Sequence, residues 1–378
     1  MRSVILCFAA FMMLPSCADR GYKPPVTHVR LPSIDSLAII PAADTLRFPL
    51  DEDSFGDIES WSIRQQHGET IIAFFDQRSE SILEYQYPSC RLMNKILLRN
   101  VFSANSINSA YLHTYDSIFL LSKNAFYLTD SSLQVHKKVL YAEANGGMQP
   151  EISPMHPPVI RNGKLYLSRY PDISSASRKA FRQWRVLWIA DQQTGTVTSD
   201  YPLPDTYQGN SYENKLLRYN FCINASGSFV FNFPADTMLY ETDLGQLHNA
   251  WYARSGHQAR PALASLQNNA GDQTDDTPAS QDSAIYTGIY YDAFHQRYLR
   301  IVRSGRERVN GTLRFLILDK GFRIIGESDV PDGIQVKELL FTPDGHIYAR
   351  IQPKNEYEIP FIRLEYYHHP TARHAYEK

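Results

Sequence analysis

Short apolar runs recur along the chain in a fixed order: a tight turn, one run, then a second. The first runs read TIIAFF, IFLL, LYLS, FVFNF, RYLRIV and IYARI; the second read SILEYQY, AFYLTD, VLWIAD, MLYETD, RFLILD and FIRLEYY. Each is too short for a helix, and their β-branched and aromatic content suits pleated strands. The turns ahead of each pair are His67-Gly68-Glu69, Tyr115-Asp116-Ser117, Asn162-Gly163-Lys164, Ser226-Gly227-Ser228, Phe294-His295-Gln296 and Asp344-Gly345. Residues 161–203 show the unit most fully, with four strand patterns around two turns. The turns are spaced near 48 residues, stretched to 64 and 68 where polar insertions fall. Several short strands repeated at that period predict propeller blades.

The expected fold is therefore all-β, a six-bladed β-propeller over residues 45–367. Its blades fall at about 55–100, 101–150, 151–205, 210–253, 284–330 and 334–367. The last blade runs out after its third strand, while the N-terminus offers a spare one at 45–50 (TLRFPL). Pairing the two closes the ring and removes both sheet edges. The competing architecture is a pair of stacked β-sandwiches. Residues 171–183 read as an insertion with a helical turn. Residues 254–283, rich in Asn, Gln, Asp and Ser, read as a solvated, disordered loop. A frayed tail is expected at 368–378.

The first sixteen residues carry Arg2 and an apolar stretch from Val4 to Leu14, too short for a permanent span and suited to a signal peptide. Leu14-Pro15-Ser16-Cys17 is similar to a lipobox, which makes Cys17 the lipidated first residue of a mature chain, with 17–44 as leader and tether. The whole chain is 43% hydrophobic with 24 Tyr and 19 Phe, and the 362 residues left after the signal are enough to bury a large β domain. A net charge of −2 gives no general attraction to nucleic acid. Cys90 and Cys222 fall on different blades and are expected as free thiols.

Lipobox, Pro-rich leader and aromatic-rich repeats together resemble a family of Bacteroidota lipoproteins, domain of unknown function 4221. That resemblance implies a lipoprotein and a propeller, and carries over no catalytic residue. Ala18-Asp19-Arg20 lacks the acidic run that marks surface export in similar lipoproteins, so the expected location is the outer membrane, facing the periplasm.

In a propeller, the loops entering the first strands and those joining second to third strands converge on one face. Basic residues follow the second strands in five blades: Arg78, Lys123, Arg169, Arg303 and Lys354, with Asp236 in blade four. The insertions add Arg178, Lys179, Arg182 and Arg185, then Arg306 and Arg308. Together they predict a basic mouth for a carboxylate, sulfate or phosphate; the plainer reading is that they solubilise strand ends. Entering blade one, DEDSFGDIE offers Asp57 and Glu59 as a general acid and base, or with Asp51 and Asp53 a weak cation site, against a merely solvated loop. Asp130, Asp191, Asp243 and Asp319 recur at one turn position, which argues a backbone-capping role. His156 could reach the channel, though a packed or exposed histidine is the plainer expectation. The tail's His368, His369 and His374 lack zinc-site spacing. No nucleophile elbow, phosphate loop or dinucleotide fingerprint occurs, and neither metal nor cofactor is expected.

Two functions fit. The first is a membrane-tethered, non-catalytic binding propeller for an anionic glycan or protein partner. The alternative is a polysaccharide hydrolase or lyase, whose paired carboxylates leave no local motif. A structural lipoprotein without ligand is the third.

Overall fold

The computed structural model describes residues 26–27, 37–103, 106–141, 149–171, 182–207, 214–256, 260–261, 283–304 and 312–368. Their strands form six separate antiparallel meanders, one per expected blade. Blade one runs Ile58–Gln66, Glu69–Asp76, Ser81–Tyr87 and Arg91–Leu97. Blade two comprises Ile107–Thr114, Ser117–Ser122, Ala125–Thr129 and Val135–Leu140. In blade three, Pro150–Glu151 and Val159–Arg161 both pair with Lys164–Arg169, ahead of Arg185–Asp191 and Val197–Pro202. Blade four is Asn220–Ile223, Phe229–Asn232, Met238–Thr242 and His248–Tyr252, the last paired in parallel with Val26–Thr27. Blade five is Ser283–Asp292, Arg297–Ser304, Thr312–Asp319 and Ile324–Asp329. Arg260–Pro261 adds a short parallel strand beside Ser283–Ala284, inside the insertion read as a loop.

Blade six has Ile334–Phe341, Ile347–Ile351 and Glu358–His368, and takes its outer strand from the N-terminus, Leu37–Pro49. That strand begins eight residues before the expected 45, within the supposed tether. Pro41, beside a register shift, broke the pattern in the sequence. Leu37 and Ile39 nevertheless continue the alternation and pack against blade five. Leu46 and Phe48, on the opposite face, pack against blade one.

Six apolar clusters hold the ring, and each lies at a junction between blades. At the closing seam Phe48 meets Phe74, Tyr85 and Phe361 edge-on, with centroids 4.9, 5.1 and 5.9 Å away. The repeated turn aspartates cap their own turns: the Oδ1 atoms of Asp130, Asp191, Asp243 and Asp319 each accept two nearby backbone N–H groups. Cys90 and Cys222 are buried free thiols. No helix among the described residues is long and apolar enough to cross a membrane. Cys17, Arg178, Lys179, Arg306, Arg308, His369 and His374 lie outside the described residues.

Replacing Phe48 by Ala should cost about 3–5 kcal/mol. Urea unfolding checks this; a loss under 1 kcal/mol would mean that the seam does not hold the ring together.

Candidate functional site

A central mouth opens on the face where first strands begin and second strands end. It has two adjoining lobes, of about 550 and 400 Å³, which share Glu59, Glu151 and Arg218 in their walls. All six blades contribute. Gln77, Asn108 and Gln149, from blades one, two and the entry to three, carry side-chain amides. The other half-circle, blades four, five and six, supplies Arg218, Arg303 and Lys337. One side of the mouth thus carries the amides with Glu59 and Glu151, and the other carries the three cations with Glu338.

The amides are chained together: Gln77 Nε2 donates to the Asn108 carbonyl at 3.4 Å and Asn108 Nδ2 to Gln149 Oε1 at 3.3 Å. Gln149 Nε2 donates in turn to the Lys123 carbonyl. On the blade-three wall Glu151 lies 3.2 Å from His156 Nδ1 and 3.7 Å from Arg218 Nη1. His156 is buried, and Ser153 Oγ sits 2.8 Å from Nδ1. Its Nε2 faces the Tyr219 carbonyl at 3.1 Å and the Tyr170 hydroxyl at 2.5 Å. Burial alone would raise the Glu151 pKa, but the charge and hydrogen bond of His156, then Arg218 and Tyr170, hold it at about 2.

The other two carboxyls lean the opposite way. Partial withdrawal from water is the main cause of a raised pKa at Glu59; the charges of Asp57, Glu151 and Glu338 add to it. Glu338 is raised chiefly by burial, against the opposing pull of Arg350, whose Nη1 lies 2.7 Å away. Arg350 Nη2 also donates to the Gly56 carbonyl at 2.6 Å, tying that wall to the loop entering blade one. Buried Asp76 holds the same loop, accepting from the backbone N–H of Phe55 at 2.7 Å and of Asp57 at 3.3 Å.

Of the basic residues named from sequence, Arg303 lines the mouth. Arg169 is buried, its guanidinium 4.4 Å from the Trp184 ring centroid. Arg78 lies over Phe55, 4.2 Å from the ring centroid. Lys123, Arg182 and Lys354 are exposed. Asp236, blade four's exception, is buried and accepts from Thr206, Met238 and Tyr240. Glu59 lines both lobes, whereas Asp57 is exposed at the rim. His156, expected as a packed or exposed side chain, is both buried and part of the wall. Glu151, Arg218, Lys337, Glu338 and the three amides escaped notice. Several sit at first-strand entries, which carry no local motif. No group of metal-ligating side chains occurs among the described residues.

The sequence profile of the family described as Domain of unknown function (DUF4221) matches residues 36–329. Among solved structures, a member of that family from Bacteroides vulgatus superposes with a TM-score of 0.71 at 15% identity, over 89% of this chain and 99% of that one. A Bacteroides fragilis protein described as exported superposes at 0.53 with 8% identity, over 90% and 98%. No curated protein matches. Such identities establish a shared fold.

Because the folded Glu151 carboxyl titrates below its ordinary 4.5, its ionised form stabilises the fold above that pH, and the contribution fades as pH falls from 4.5 toward 2. Glu151→Gln should therefore lower the melting temperature at pH 7 and converge on the parent toward pH 2. Glu59 has the opposite sign: Glu59→Gln should raise the melting temperature at pH 7 and lose that gain below 4.5. Melting curves from pH 2 to 7 for both variants check this; matching pH profiles would refute it.

Proposed function

The chain belongs to the DUF4221 family, and from that premise we propose that it is an exported, lipid-anchored binding propeller whose central mouth takes an acidic saccharide. One observation carries the reading: side-chain amides on one side of the mouth face Arg218, Arg303 and Lys337 on the other. Side-chain amides, a tyrosine and carboxylates supply the mixed donors and acceptors that hydroxyl-rich ligands need, and arginine pairs with a carboxylate or sulfate in fork geometry. Tethering is supported by the lipobox-like Leu14-Pro15-Ser16-Cys17 and by the exported description of the Bacteroides fragilis neighbour. An outer-membrane, periplasm-facing position and a protein partner on the same mouth belong to this proposal too. The exposed Lys123 and Arg182, with the insertion cations Arg178, Lys179, Arg306 and Arg308, would act as an outer field that steers an anion inward.

A hydrolase or lyase is the second reading. What favours it is the divergence of two carboxyls in one cavity: Glu59 pushed up, Glu151 held ionised. Acid–base catalysis uses such pairs, and Glu59 would be the acid.

Glucuronate, glucose, inorganic phosphate and calcium should be compared by thermal shift on the chain from Ala18 onward. At a hundred times its dissociation constant a ligand adds about 2.7 kcal/mol, so glucuronate should raise the melting temperature visibly and glucose should not. Arg218→Gln with Arg303→Gln should abolish the shift. A flat panel, or a shift that survives the double variant, would remove the acidic-ligand reading. Turnover of a bound acidic oligosaccharide, lost in Glu59→Gln with binding kept, would move the assignment to the enzyme. Labelled palmitate should enter the full chain in a lipoprotein-processing bacterium and be lost in Cys17→Ser; unchanged labelling would place the lipid elsewhere.

A further inference from the structure

The loop between the closing strand and blade one carries two features that the mouth alone does not explain. It runs from Pro49 at the outer edge of blade six to Ile58 in the cavity wall, so it crosses the mouth face from rim to centre. Along that path stand two exposed aromatic rings. Phe55 keeps 48% of its surface in water although Arg78 covers part of it, and Tyr357 keeps 65%. Tyr357 belongs to the same stretch of surface, since its carbonyl accepts from the Leu50 N–H at 2.8 Å. Phe55 precedes cavity-lining Glu59 by four residues, a reach of at most about 14 Å.

The loop is held in place. Asp76 accepts from two of its backbone N–H groups, Arg350 donates to the Gly56 carbonyl, and Lys95 Nζ lies 2.8 Å from Asp51. An exposed aromatic on a fixed backbone loses little entropy on binding, which suits a stacking platform. The loop's charge sets a direction. Glu52, Asp53 and Asp57 are exposed acids along the same path and outnumber Arg78, the cation over Phe55, whereas Arg218 and Arg303, from blades four and five, lie across the cavity. An anionic group is welcome at Arg218 and Arg303 and repelled along the loop.

We infer that the ligand is an oligosaccharide capped by one acidic sugar, with the cap in the central mouth and its neutral units running outward over Phe55 and Tyr357. This rests on the acidic-saccharide reading above and adds chain length and polarity to it. The aromatic rings meet the apolar faces of neutral sugars, and the acidic loop excludes a uniformly acidic polymer. The site is thus a terminus reader.

Calorimetric titration of the chain with four probes tests this: glucuronate, aldotetraouronic acid (a uronic acid on three xyloses), xylotetraose and tetragalacturonate. The capped tetrasaccharide should bind at least about tenfold more tightly than glucuronate, the equivalent of about 1.4 kcal/mol, and more tightly than tetragalacturonate. Phe55→Ala with Tyr357→Ala should erase that advantage while glucuronate affinity stays unchanged, and Tyr357→Ala alone should take part of it. Equal affinity for the cap and the capped chain, an advantage that survives the double variant, or preference for tetragalacturonate would overturn the inference while leaving the acidic site standing. Binding by none of the acids would overturn both.

Discussion

Each blade of this protein is apolar on both faces, and that constraint governs everything else. A sheet with one buried face can rest against a single partner; these sheets need a neighbour on each side. Every one of the six apolar clusters therefore sits between two blades, and the arrangement satisfies all six sheets only as a closed ring. Closure then fixes the site. Once the inner strands are set around an axis, their starts converge at one end, and Glu59, Glu151, Arg218 and Glu338 face the same water although they are remote in sequence.

Apolar packing alone would leave the blades free to slide, and polar contacts set their stagger. Arg300, in the second strand of blade five, is wholly buried and spends its N–H groups on blade four: Asn232 Oδ1 at 2.7 Å, and the carbonyls of Asp236, Thr237, Met238 and Ala253 at 2.6–3.2 Å. Its guanidinium lies 3.6 Å from the Tyr286 centroid. Burial draws its pKa down to about 10, partly offset by Tyr286 and Asp236, so it remains a cation at neutral pH. A lysine has neither five donors nor a planar fork, and could not reproduce this lock. Arg303 follows three residues on, so the lock also fixes the cationic wall. Ser60 and Ser62 do similar work between blades one and two through the carbonyls of Ala110 and Leu112.

Much of the fold was legible because propeller repeats are local: each turn-and-run pair announces itself by turn chemistry and period-two alternation. The six blades, the missing fourth strand and its N-terminal substitute all follow from that. The start of the closing strand did not, since Pro41 interrupts the pattern and only the neighbouring blade reveals what Leu37 packs against. The site was harder, because it is an intersection of loops with no local signature. Arg303 and Glu59 were found from their place after a second strand and before a first. Arg169, chosen by the same rule, turns beneath Trp184, and nothing in its neighbours foretells that. Glu151 lies in a two-residue strand, too short to show any alternation in the sequence.

The closing strand also imposes an order in time. Arg47 and Glu358, which bond across the final sheet, are 311 residues apart, so in a chain that emerges from its N-terminus the first partner is free long before the second. Until then Leu46 and Phe48 have no sheet to join, and the growing chain is a crescent with a bare apolar face at each end. Such a crescent can pair with another copy of itself as readily as with its own terminus. A monomeric ring therefore depends on the first strand staying unoccupied until the last one arrives.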